Sequence, residues 1–453
     1  MNGRHGTLKV STSDFQLVPE TLDVIRLGPP PNEDSESILV TGDFAMSPQS
    51  AGKRDAVVAP PLDTVISEST CAIANFEGAI ETPSPPVEKF GPHIAIDSSA
   101  PTRLSAWGFD AVTLANNHSI DFGSPGLSET ISACEQAGLW TVGAGSTVDS
   151  ASNPSYFEAG DTKVAVLNAS ETITRHYYRD FSPTIAEISH PRFISNISQA
   201  SSHADVVIVI AHTGIPGTPL PPVQLQSRFR QFIDHGADVV IGHHPHVPQG
   251  WERYDGKFIL YSLGDFLFQT NTPDFGNKSW GLVATMYLTG DAVTTVELLP
   301  VETRGPPVEP VTTGPRAHDV RVYLKQSTDI IADADQLAAY WSVIATEITG
   351  DKTIGLSDNP ELFLYYLQWE SNRWALETGL RQVISDDIPP ESVRSEALEL
   401  WTFTRQKPHL NRSERLVKST LYRLYSPTIK SLFKRLRLHQ SAVRLYEAIF
   451  NRL

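Results

Sequence analysis

The feature that most constrains this chain is a rhythm. From Ile38 to about Val301, short apolar, β-branched runs alternate with helix-like segments. The runs are Ile38–Thr41, Cys71–Ala74, Ala111–Leu114, Lys163–Leu167, Val206–Ala211 and Val239–Ile241. This is the βαβ pattern of an α/β fold. Helices are expected between the runs at about 124–137, 190–202 and 222–235, with Gly138 and Gly236 placed to end the first and the last. After Val239–Ile241 the pattern changes. Trp251–Tyr254 and Phe258–Tyr261 flank Asp255-Gly256, a strong hairpin signal, and a second hairpin is expected at Leu282–Leu288 and Ala292–Leu299 around Gly290-Asp291. The sheets are therefore expected to be mixed.

Outside this stretch the character differs. Residues 1–36 end in Gly28-Pro29-Pro30-Pro31 and an acidic run, and read as an N-terminal arm before a domain spanning 37–303. A Pro/Gly-rich linker over 304–316 leads to a helical region, 317–453. Leu337, Tyr340, Trp341 and Ile344 recur at helical intervals there, as do Leu362, Tyr365, Tyr366 and Trp369, and stripes of this kind read as core. The tail repeats the pattern with Leu432, Phe433, Leu436, Val443, Tyr446, Ile449, Phe450 and Leu453.

Charge divides the chain along the same lines. Residues 405–453 carry twelve Lys/Arg against Glu414 and Glu447, a local +10, so the preceding 404 residues hold −26 of the overall −16. An acidic body argues against non-specific nucleic-acid binding, whereas the basic tail suits an anionic lipid surface or an acidic polymer. A solvated basic helix face is the plain alternative. With 40% hydrophobic and 19% charged residues, the composition is that of a packed globular protein. Cys71 and Cys134 sit in apolar surroundings and suggest neither a disulfide framework nor a cysteine metal site. No apolar segment of the signal-peptide kind follows Met1, and no run approaches the roughly 18 residues of a membrane span. The expected location is the cytoplasm, where either another subunit holds the chain at the membrane or the stretch from about Thr428 to Leu453 lies on the cytoplasmic membrane face.

The polar residues fall where α/β proteins place ligands, directly after the strands. Asp43 follows the first run and offers a hard anionic ligand. Asn75 and Glu77 follow the second, two apart, so that both lie on one side of an extended chain with Phe76 turned into the core. Asn116-Asn117-His118-Ser119-Ile120-Asp121 follows the third and joins an amide oxygen, an imidazole and a carboxylate able to orient that imidazole. His212 ends the run from Val206, and Gly242-His243-His244-Pro245-His246 follows the last. Three imidazoles within four positions are costly to gather for structure alone, and neutral imidazole is the commonest protein ligand of transition metals. The candidate metal ligands are thus Asp43, Asn75, Glu77, Asn117, His212, His243, His244 and His246, with His118 and Asp121 beside them.

Taken in order, Gly42-Asp43, Asn75-Phe76-Glu77, Asn116-Asn117-His118 with Asp121 and Gly123, His212, Gly242-His243-His244-Pro245-His246-Val247 and Tyr261-Ser262-Leu263-Gly264-Asp265-Phe266 resemble the CapA family of capsule and poly-γ-glutamate synthesis proteins. That family is similar to the calcineurin-like metallophosphoesterases. The resemblance covers about residues 37–270. It implies a four-layer α/β/β/α sandwich of the metallophosphoesterase type, followed here by a mainly helical C-terminal region. It implies one or two divalent ions, one on Asp43 and His246, the other on Asn117, His212 and His244, with Glu77 between them and His118 protonating a leaving group or steadying the transition state. Mn, Fe or Zn suits the donor set better than Ca.

Three positions depart from the family pattern. Ala45 stands where related phosphoesterases carry a histidine, leaving the Asp43 side a ligand short. His212-Thr213-Gly214-Ile215-Pro216 lacks the usual acid. Asp265 replaces an asparagine, and either restores that charge or caps a turn. Two functions are expected from this set. One is a divalent-metal-dependent hydrolase of phosphoesters or a related bond in cell-envelope polymer metabolism. The other is a non-catalytic component of capsule or poly-γ-glutamate assembly and export that binds polymer or partner subunits.

Overall fold

A computed structural model of the chain describes residues 15–17, 25–32, 35–48, 58–89, 91–171, 182–270, 280–303, 307–311, 314–356, 369–385 and 389–405. The basic tail beyond Arg405, and Leu362, Tyr365 and Tyr366 of the second aromatic stripe, lie outside the described residues.

Two sheets carry the domain. The 10-stranded sheet runs Phe15–Leu17, Ile25–Leu27, Ala292–Glu302, Trp280–Thr289, Ser37–Met46, Cys71–Phe76, Ala111–Thr113 and Trp140–Val142, with Asp265–Gln269 beside Ser37–Met46 and Glu309–Pro310 beside Ala292–Glu302. The 6-stranded sheet runs Ser155–Ala159, Thr162–Ser170, Val206–His212, Val239–His243, Lys257–Leu260 and Trp251–Tyr254. Each mixes parallel and antiparallel pairs. Both feed one continuous apolar core. Helix Gly123–Gln136 packs on the first sheet, and Pro191–Ser201 and Val223–Asp234 on the second, giving the α/β/β/α layering. The expected strands and helices are present with ends shifted by a few residues, and the Asp255-Gly256 and Gly290-Asp291 hairpins both form. Within the stretch read as an arm, Ile25–Leu27 pairs with Ala292–Glu302.

The central strands are buried on both faces. Every residue of Val206–His212 and Val239–His243 is buried, as near-continuous Val/Ile runs in a helix-covered parallel sheet should be. The first strand runs past Thr41 to Met46, because Asp265–Gln269 pairs alongside its second half. An irregularity between Val40 and Asp43 in its pairing with Cys71–Phe76 re-aims Asp43 at the strand end. Gly42 permits that close approach, since a Cβ there would lie 2.2 Å from the Gly264 carbonyl oxygen. Gly242 is constrained in the same way by the Tyr261 carbonyl oxygen at 2.0 Å.

Among the described residues, the C-terminal region holds the helices Gly314–Ile331, Ala334–Leu356, Glu370–Ser385 and Glu391–Arg405. Trp341, Leu337 and Ile344 are buried in it, as the first stripe predicts. Among the described residues no helix is long and apolar enough to cross a membrane.

Candidate metal centre

Strand ends from both sheets meet at one buried cluster. Asp43 and Glu77 come from neighbouring parallel strands of the first sheet, and His212 and His243 from neighbouring strands of the second. The alternation read from Asn75-Phe76-Glu77 holds: Phe76 packs against Phe44 at 5.8 Å while its polar neighbours face the cluster. Truncating a core phenylalanine costs about 3–5 kcal/mol, so Phe76 pins the register that aims them.

Two ligand groups emerge. Glu77, His212 and His244 each offer an atom within 4.8 Å of the others, and so do Asp43, His246 and Asp265. All six residues are buried. Glu77 lies between the groups. Its Oε1 stands 3.8 Å from His212 Nε2, 3.6 Å from His246 Nε2 and 3.9 Å from His118 Nε2. Each of these separations exceeds hydrogen-bonding distance. Asn117 joins the first group through its Oδ1, which accepts a hydrogen bond from His212 Nε2 at 2.7 Å.

Asn75 and His243, both read from sequence as ligands, are placed behind Asp43 instead. Asn75 Nδ2 donates to Asp43 Oδ1 at 2.8 Å and faces His212 Nδ1 at 3.3 Å, while its Oδ1 accepts from the Thr113 hydroxyl. With both amide ends committed, it orients its neighbours. His243 Nδ1 lies 2.8 Å from Asp43 Oδ1, and His243 belongs to neither ligand group. Asp265 goes the other way. At 2.8 Å from His246 Nδ1 it is part of the cluster rather than a turn cap.

The backbone of the histidine loop is strained. His244 has φ 93° and His246 φ 57°, both in the region that non-glycine residues seldom occupy. Such conformations cost about 1–3 kcal/mol each and persist where the surroundings over-determine them. The His244 amide is held by Asp43 Oδ2 at 3.3 Å, and the Pro245 carbonyl accepts from Gly217 N.

Electrostatics keep the site in a ligand-ready state. Burial alone would raise the Asp43 carboxyl, but the hydrogen bond with His243 overcomes it and holds it far below the ordinary carboxylate range. Burial, reinforced by His244, pushes His212 well below its usual value, so it stays neutral. Beside the cluster, His118 Nδ1 lies 2.8 Å from Asp121 Oδ2, which also accepts from Ile94 N. Lys89 pairs with the other Asp121 oxygen and lies 3.2 Å from His118 Nδ1. An ionised Asp121 facing Nδ1 at this distance assigns the proton to Nδ1 and leaves the Nε2 lone pair aimed into the cluster. Burial first, then Lys89, depresses His118 to about 4 against the opposing pull of Asp121. The sequence reading missed Lys89. It sits in a Pro/Ser-rich loop, and only tertiary placement reveals it.

A family model described as bacterial capsule synthesis protein PGA_cap matches residues 37–270. That span is just over half of the chain and encloses both ligand groups and the His118–Asp121 pair. The PGA biosynthesis protein CapA of Bacillus subtilis (strain 168) is 32% identical over 178 residues, 39% of this chain and 47% of that protein. The capsule biosynthesis protein CapA of Bacillus anthracis is 30% identical over 190 residues, 40% of this chain and 46% of that one. The chain thus spans about half the length of the curated relatives it matches. Among solved structures, a 5'-nucleotidase from Candida albicans SC5314 overlays at a TM-score of 0.37 and 12% identity, covering 67% of this chain and 59% of that one. On the span and description of the family match, this chain belongs to the bacterial capsule synthesis protein family PGA_cap.

Proposed function

We propose that the chain is a divalent-metal-dependent hydrolase that acts on a phosphoester or a related bond in the metabolism of a capsule or poly-γ-glutamate polymer. The observation that carries this reading is the placement of Glu77 Oε1 among His118, His212 and His246, at 3.6–3.9 Å from each Nε2. Buried carboxylates and imidazoles held beyond hydrogen-bonding distance suit an ion between them better than they suit one another. Glu77, His212, His244 and Asn117 would hold one ion, and Asp43, His246 and Asp265 a second. Imidazole, amide and carboxylate oxygen together favour Mn, Fe or Zn over Ca. When bound, such ions act as Lewis acids and make water nucleophilic near neutral pH.

The remaining residues do work of their own. Asn75 and His243 fix the Asp43 carboxylate. Lys89 and the Ile94 amide fix Asp121, and Asp121 fixes the His118 ring. His118 then handles a proton at Nε2. Neutral before substrate binds, it accepts one readily once an anionic substrate raises its pKa, and returns it to a leaving oxygen. The capsule and PGA biosynthesis names of the relatives support the polymer half of the reading and, with it, partners among polymer-synthesis subunits or the polymer itself.

The test is turnover by the Mn-loaded chain on an aryl phosphate, a phosphodiester and poly-γ-glutamate, beside His118→Gln. We expect cleavage of at least one substrate and a fall in kcat of about 100-fold or more in the variant with metal retained, the scale of a lost general acid. A metal-loaded chain that cleaves none of them contradicts the hydrolase reading and leaves an assembly role.

A further inference from the structure

The helical C-terminal region is packed directly on the loops that carry the histidines. Trp369, just before helix Glu370–Ser385, stacks on the His244 imidazole with ring centroids 5.0 Å apart and planes inclined by 16°. The residues that follow Trp369 are tied down. Glu370 forms a two-pronged pair with Arg228 at 2.5 and 2.9 Å, and the Arg228 guanidinium lies over the Trp374 ring. The Ser371 amide donates to Glu171 Oε1 at 2.6 Å, and the Ser371 hydroxyl donates to the Gly214 carbonyl at 2.8 Å. Glu171 in turn accepts from Thr213, next to His212.

Other helices hold the same loops. Thr404 donates to the Gly217 carbonyl and Ser327 to the Pro219 carbonyl, both in the loop after His212. Tyr323 donates to the Pro248 carbonyl, and Thr328 accepts from Trp251 N, both beyond His246. Irregular loop backbone at a sheet edge is satisfied here by side chains of the helical region.

The stack has a specific geometric consequence. A histidine ligates through a lone pair in the ring plane, whereas stacking occupies the ring face, so the indole and an ion do not compete. A flat partner on the face blocks rotation about the Cβ–Cγ bond and leaves the nitrogens aimed. His244 needs such support, because its backbone sits at φ 93° and does not by itself select one ring orientation.

We propose that Trp369 is a positioning residue of the metal centre, and that the helical region presenting it is a structural part of that centre rather than an appendage. The inference rests on the reading of the cluster as a metal site. Its scale is set by outer partners of metal-bound histidines, whose loss typically weakens binding by about 10–100-fold.

The test uses the full chain stripped with EDTA and titrated with Co²⁺, read by calorimetry and by the visible Co²⁺ band, whose position and strength report ligand number and geometry. Trp369→Ala and Trp369→Leu are expected to weaken Co²⁺ binding by about 10–100-fold and to alter the band. Trp369→Phe, which keeps a flat face, is expected to stay within about threefold of the unaltered chain. If Trp369→Ala fails to fold, the Leu and Phe variants carry the comparison. Unaltered affinity and band in the Ala and Leu variants overturn the inference, and so does an equal loss in the Phe variant. Absence of Co²⁺ uptake by the unaltered chain overturns the metal reading itself, and this inference with it.

Discussion

The two halves of the cluster solve the same problem differently. On the Glu77 side, Glu77 Oε1 faces His212 Nε2 across 3.8 Å. On the Asp43 side the donors are already engaged, with His243 Nδ1 at 2.8 Å from Asp43 Oδ1 and His246 Nδ1 at 2.8 Å from Asp265 Oδ1. An ion entering the first half displaces the His212 proton that Asn117 accepts. One entering the second meets a hydrogen-bonded carboxylate–imidazole network, in which His243 faces Asp43 and Asp265 faces His246. Asp265 adds a carboxylate to this half, and it holds His246. The Glu77 half is therefore the tighter site in this account.

The largest expected effect comes from the residue both halves share. Glu77→Gln is expected to weaken binding of every ion by more than about a hundredfold, beyond the 10–100-fold typical of an outer partner. Calorimetric titration with Mn²⁺ checks it, and retention of one tight ion would break the idea of a shared carboxylate. Asp265→Asn separates the halves. It is expected to lower the weaker Mn²⁺ affinity by about tenfold while the tighter one is unchanged. A loss at the tighter site instead would show that the two halves are not distinct.

A third effect is one of pH, through His118. An unfolded imidazole titrates near 6.5, whereas folded His118 is depressed to about 4. Between those values the unfolded chain binds a proton that the folded chain refuses. Stability is therefore full above about pH 6.5 and falls as the solution is acidified toward 4. The loss is a few kcal/mol at most, because each tenfold difference in proton affinity between the two states is worth roughly 1.4 kcal/mol. Thermal melts of the metal-free chain at pH 7 and pH 5 should show a shallower loss for His118→Gln. Equal slopes in the two proteins would contradict a buried neutral His118.

Much of this was legible in the sequence because α/β chains put their ligands after strands, and the strands were plain as Val/Ile runs. Asp43, Glu77, Asn117, His118, His212, His244 and His246 all followed such a run, and the structure brings them together. What was not legible depends on tertiary direction. Nothing in Asn75-Phe76-Glu77 says that Asn75 spends its amide on Asp43 and Thr113 while Glu77 faces the histidines. Three adjacent imidazole candidates at 243–246 look alike until the strand register turns His243 back toward Asp43. Asp265 was ambiguous between charge and turn, and its pairing opposite Asp43 across parallel strands decides the matter. Trp369 read as one more core aromatic. It is buried, as that reading requires, but against His244.

The most direct test of the central claim is the metal content of the purified chain beside His244→Ala, after EDTA treatment and reloading with Mn²⁺, by elemental analysis. The account predicts at least one tightly held ion per unaltered chain and its loss in the variant. No retained metal in the unaltered chain, or equal content in the two, would contradict it.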